Sequence, residues 1–149
     1  MYKHILVPTD GSALSLKAAK AAAELAKTLD AKVTALYVIP SYMPVPASDG
    51  AILYNLGYTP EKYRQETEKS AKAALKRVEK TASESDVPVG KVFVTNDQPW
   101  QGIIDTAKAK KCDLIVMASH GRKGITGLII GSETHKVLTH SKTPVLVCR

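Results

Sequence analysis

Five short apolar runs recur along the chain: YKHILV at 2–7, KVTALYV at 32–38, KVFVTN at 91–96, DLIVMA at 113–118 and TPVLVC at 143–148. Between them the apolar residues change to a helical period. Side chains repeat every two residues in a strand and every 3.6 in a helix, so this switching of period assigns an element to each stretch. From Ser12 onward, Leu14, Ala18, Ala21, Ala22, Leu25 and Leu29 form a stripe in an alanine-rich segment, and Ser12 stands where a helix cap belongs. After Pro60, the residues Tyr63, Thr67, Ala71, Ala74, Val78 and Ala82 trace one face of a long amphipathic helix whose other face is dense in mixed charge. A further helix opens at 98 with Pro99 in its first turn, and SETHKVLTH forms the last. Strands separated by helices cannot pair as hairpins. They imply an α/β fold, a parallel sheet with right-handed crossovers and helices on both faces.

Length and composition suit one domain over residues 1–149, with 44% hydrophobic residues and roughly 70% of the unfolded surface buried. There is no apolar run long enough for a membrane span, and Asp10 follows the first apolar stretch too closely for a signal peptide, so a cytoplasmic protein is expected. Cys112 and Cys148 fit no metal or dithiol spacing and read as buried thiols. The stretch 40–60 holds Pro40, Pro44, Pro46 and Pro60 without any sustained period, which marks a long surface excursion. Net charge is +7, and the last 49 residues carry eight Lys or Arg against three Asp or Glu. An anionic partner follows. The chain has no nucleic-acid signature beyond that basicity, so neither nucleic acid nor membrane is expected as a partner.

In parallel sheets ligands bind beyond the carboxyl ends of the strands, where strand order reverses. With the first and fourth strands as neighbours there, PTDGS and ASHGRKG face one crevice. Gly121 supports a tight turn after the fourth strand, and Gly131 and Ser132 directly precede a helix. Unpaired N–H groups and the positive end of the helix dipole point outward at such a start, which is where phosphate binds. The Ser132 hydroxyl adds a donor, and Arg122 and Lys123 supply cations.

Plainer roles compete at each position. Gly131-Ser132 also suits an ordinary helix cap, and Asp10 either caps the first helix or reaches a ribose hydroxyl or divalent cation. His120 is either a base or a loop histidine with a structural bond; no nucleophile elbow accompanies it. Glu133 complements the helix dipole, Trp100 packs on the sheet edge or a partner, and His135 and His140 fall off one helical face. The chain contains neither GxxxxGK[ST] nor GxGxxG after the first strand, so P-loop hydrolysis and dinucleotide chemistry are disfavoured.

Taken in order, ILVPTDGS, LYVIP, DLIVMASHGR, Gly121, nine residues, Gly131-Ser132 and TPVLVCR resemble the universal stress protein family over essentially the whole chain. The family's motif is glycine, two residues, glycine, nine residues, then glycine with serine or threonine. Here Ala118 stands at its first position. The resemblance implies a Rossmann-like, adenine nucleotide alpha hydrolase-like sheet in the order 3-2-1-4-5. It also implies ATP or a related adenine nucleotide, with Mg²⁺ when present. Pro8, Thr9, Asp10 and Val38 would hold base and ribose, and Ala118, His120, Gly121, Arg122, Gly131, Ser132 and Glu133 would border the phosphates. By the same resemblance the protein is a nucleotide-linked regulator of stress survival that forms a homodimer through strand 143–148. The competing expectations are an interaction protein that binds no nucleotide and a slow ATPase.

Overall fold

The switch between strand and helix periods is carried through in the folded chain. The computed structural model describes residues 1–41, 57, 59–121 and 130–149; most of the 40–60 excursion, and Arg122 and Lys123, lie outside these. Among the described residues the elements are β1 (His4–Pro8), α1 (Ala13–Leu29), β2 (Lys32–Ile39), α2 (Pro60–Ser83), β3 (Val89–Thr95), α3 (Pro99–Ala109), β4 (Leu114–Ala118), α4 (Ser132–His140) and β5 (Val145–Cys148). The strands make one sheet in the order β3-β2-β1-β4-β5, with every neighbouring pair parallel. Both order and class are those expected.

Side chains that alternate along each strand feed two separate cores. Ile5, Val7, Val33, Ala35, Leu114 and Val116 meet Ala19, Ala22 and Ala26 of α1 and Leu75 and Val78 of α2. On the opposite face, Leu6, Leu36, Ile115 and Met117 meet Ile103 and Ala107 of α3 and Val137 of α4. Burial on both faces is why the central strands read as continuous apolar runs instead of alternating ones. The helices start and stop where local chemistry directs. Ser12 Oγ accepts the N–H of Ser15 at 3.2 Å, and Asp30 ends α1 in the left-handed region at φ 50°. Thr59 accepts the N–H of Lys62 ahead of Pro60, which needs no N–H partner there.

Two boundaries move for identifiable reasons. β1 begins at His4: the N–H groups of Lys3 and His4 both turn to the Asp113 carboxylate, at 2.8 and 2.9 Å, and register with β4 starts only at Ile5. β5 begins at Val145: Ser141 Oγ accepts the N–H of Thr143 and donates to its carbonyl, and Pro144 has no N–H to give. The two cysteines lie on opposite sides of the sheet. Burial, with Asp113 nearby, pushes the Cys112 thiol up to about 11, and burial also raises Cys148. Among the described residues no helix is long and apolar enough to cross a membrane.

Asp113 fastens β4 to the start of β1 through the N–H groups of Lys3 and His4, at 2.8 and 2.9 Å. Burial alone would raise its carboxyl, but the N–H groups of His4, Lys3 and Asp113 itself, with the His4 ring, hold it below its ordinary value. Asp113→Ala should therefore cost about 0.5–1.5 kcal/mol in urea unfolding at neutral pH, solvent screening of this partly exposed carboxylate keeping the figure small. The lower pKa belongs to the folded state, so this contribution is complete above the ordinary value of 3.8 and fades as acid protonates the group. Wild type and variant should converge in stability below that pH.

Candidate functional site

Beyond the carboxyl ends of β1, β2 and β4 lies a cleft of about 690 Å³, a volume suited to a small organic ligand. Its apolar wall comes from Leu36, Val38, Ile103 and Met117, and its polar rim from the loops after β1 and β4 and the start of α4.

The loop after β1 is held by its own hydrogen bonds. Thr9 Oγ1 lies 2.9 Å from Ser15 Oγ and accepts the N–H of Gly11 at 3.0 Å, while the Thr9 N–H donates to Leu36 O at 2.8 Å. Gly11 sits at φ 79°, a conformation natural to glycine. Asp10 is not the cap of α1; that role belongs to Ser12, whose N–H donates to Asp10 Oδ1 at 2.9 Å. From α2, Arg77 reaches across to donate to Gly11 O at 2.8 Å. The PTDGS turn is thus fixed from two helices, and Asp10 lines the cleft from a preset backbone.

The junction of β4 with α4 is tighter still. Ser119 N–H donates to Cys148 O at 2.7 Å, and Gly131 N–H donates to Ser119 O at 2.8 Å. Thr134 Oγ1 donates to Ala118 O at 2.9 Å from a buried position. Gly131 has φ −60°, so its glycine is not required by the dihedral angle. Space is what requires it: a Cβ there would lie 3.1 Å from His120 Cα and 3.3 Å from Ser119 O. Gly131 is also the N-cap of α4 and gives no side-chain hydrogen bond to the first turn. The main chain at the start of α4 therefore meets the cleft without a capping side chain. Across the gap, a Cβ on Gly121 would come 2.7 Å from Asp10 Oδ2, so the two loops touch through a glycine.

All but one of the expected site residues border this space: Pro8, Thr9, Asp10, Val38, Ala118, His120, Gly121, Gly131, Ser132 and Glu133. Arg122 lies outside the described residues. Roles within the set differ from simple ligand contacts. The hydroxyl of Thr9 is used inside its loop, and His120 Nδ1 pairs with Ser119 Oγ at 3.1 Å, the structural bond weighed from the sequence. Glu133 does more than face a helix dipole. Its Oε2 accepts the N–H of Trp100 at 2.9 Å, supplying the start of α3 with the cap that Gln98 does not provide. The Trp100 ring stacks at a tilt on His140, with centroids 4.8 Å apart.

Sequence reasoning missed Ser15, Arg77, Gly102 and Thr134. The close fit of Gly102, where a Cβ would meet Val38 Cγ1 at 3.1 Å, had a signal in the form of a glycine inside a helix. Arg77, one of many charges on the polar face of α2, had none.

A model of the universal stress protein family matches residues 1–149. The chain belongs to the universal stress protein family. Universal stress protein MJ0531 of Methanocaldococcus jannaschii is 36% identical over 151 residues, which cover all of this chain and 83% of the relative. Universal stress protein YxiE of Bacillus subtilis is 33% identical over 149 residues, spanning both chains fully. Among solved structures, hypothetical protein MJ0577 matches with a TM-score of 0.79 at 28% identity, over 99% of this chain and 96% of that one. A universal stress protein in complex with cAMP matches with a TM-score of 0.71 at 25% identity, over 99% and 97% of the two chains.

For this universal stress protein the bond from Thr134 to Ala118 O is, among the described residues, a side-chain hydrogen bond that ties α4 to β4. Thr134→Val keeps the shape and strands a buried carbonyl. It should lower unfolding stability by about 1–3 kcal/mol, read from the thermal or urea midpoint.

Proposed function

We propose that this universal stress protein binds an adenine nucleotide, ATP or a close relative, in the cleft at the ends of β1, β2 and β4. We further propose that it acts as a cytoplasmic homodimer whose occupancy regulates survival under stress, with no efficient catalysis of its own. The observation that carries the binding site is the start of α4. Its N-cap is a glycine without a side chain, its first-turn residues Ser132, Glu133 and Thr134 line the cleft, and the helix dipole directs positive potential toward them. In this reading the base lies on the apolar wall near Val38, the ribose lies near Asp10, and the phosphates lie between Gly121 and Ser132. Arg122 follows Gly121 in sequence and supplies a cation. The relative solved with cAMP supports the adenine assignment.

Among the described residues no group of three His, Cys, Asp or Glu side chains is placed to hold a metal. Mg²⁺ accompanying the phosphates would draw its ligands from phosphate, water and one carboxylate, and Asp10 is the candidate for the last. Such an ion would neutralise phosphate charge.

Gly131→Val is the direct test of the site. A Cβ at this position would lie 3.1 Å from His120 Cα, and the added methyls would force α4 away from β4. Calorimetric titration should show adenine-nucleotide affinity falling at least about tenfold, a loss of about 1.4 kcal/mol; unchanged affinity in a folded variant would place binding elsewhere. Analysis of small molecules released from denatured wild-type protein separates this reading from that of an interaction protein without nucleotide.

The dimer reading rests on β5. It is an edge strand, bonded on one side to β4, and Leu146 is 44% exposed on it. Pairing with a second copy covers such an edge. Leu146→Lys should convert the dimer to a monomer in light scattering.

A further inference from the structure

We infer that Glu133 tunes the charge selectivity of the cleft, lowering the affinity of an adenine ligand by more as its phosphate charge rises. The inference rests on the nucleotide reading above and adds to it which ligands the site prefers. Glu133 occupies the first turn of α4 and lines the cleft. Its carboxylate is held in place by two donors, the N–H of Trp100 at 2.9 Å and Lys136 Nζ at 3.2 Å. Both partners lie on helices flanking the cleft, so the charge is anchored at its rim.

An acid in the first turn already satisfies part of the dipole that would attract an incoming anion. Asp10 adds a second carboxylate from the opposite loop. The described residues lining the cleft include no lysine or arginine; Arg122, the cation assigned to the phosphates, lies outside them, and the carboxylate of Glu133 acts on the ligand whatever that cation contributes. Lys136 offsets little of the Glu133 charge, since their pair is solvent-exposed, with side chains 46% and 38% accessible. Every phosphate charge added to the ligand therefore meets repulsion from Glu133, and a nucleoside meets none.

Glu133→Gln isolates this effect, because the amide oxygen can still accept the Trp100 N–H while the charge is gone. Wild type and variant are titrated calorimetrically with adenosine, AMP and ATP in the presence of a chelator, at low and high salt. The variant should gain at least about threefold more affinity for ATP than for AMP. Its affinity for adenosine should stay unchanged, and the gain should shrink in high salt. An equal change for all three ligands, or no change, overturns the inference and leaves the binding site standing. Wild-type protein that binds none of them overturns both. Lys136→Met is a second variant that leaves the Trp100 contact intact and removes the cation beside Glu133. Because that pair is solvent-exposed, the change should leave the ratio of ATP to adenosine affinity nearly unaltered, and a shift as large as that of Glu133→Gln would assign the selectivity to Lys136 and overturn the proposal.

Discussion

The carboxyl end of β4 is joined to its surroundings by three hydrogen bonds, and the rest of the site depends on them. Ser119 N–H reaches Cys148 O, Gly131 N–H reaches Ser119 O, and the Thr134 hydroxyl reaches Ala118 O, all between 2.7 and 2.9 Å. These bonds bring the first turn of α4 against the strand end, within the thickness of one backbone. Glycine at 131 is the condition for that approach, since any Cβ would press on His120. The space taken by a side chain is here exchanged for main chain directed at the cleft.

The sheet order explains why two distant loops meet. β1 and β4 are neighbours, yet α1 packs on one face of the sheet and α4 on the other. Chains leaving adjacent strands in opposite directions open a crevice between them. The loop after β1 enters that crevice already rigid, with Thr9, Ser15, Ser12 and Arg77 using its polar groups. Asp10 and Gly121 then come together across the gap, although one follows β1 and the other follows β4. A preset backbone of this kind spends little ordering entropy when a ligand arrives.

Charge is distributed against the simplest expectation. The excess of basic residues favours an anionic partner for the molecule as a whole, and long-range attraction toward phosphate follows from it. Close to the cleft the described wall carries Asp10 and Glu133. Glu133 also serves a structural role by capping α3.

Much of this protein was legible in its sequence. Period alone separated the strands from the helices, because burial on one or two faces imposes an apolar spacing that a linear reading detects. The glycine spacing and the serine after Gly131 marked the turn that borders the cleft, since those residue types answer local backbone demands. What each polar group does was settled only by tertiary structure. Thr9 turned its hydroxyl inward, Glu133 crossed to another helix, and Arg77 arrived from a surface that looked merely solvated. Local conformation is written in neighbouring residues and can be read from them. A hydrogen bond between residues as far apart as Arg77 and Gly11 depends on how whole elements pack, and no short stretch of sequence contains that information.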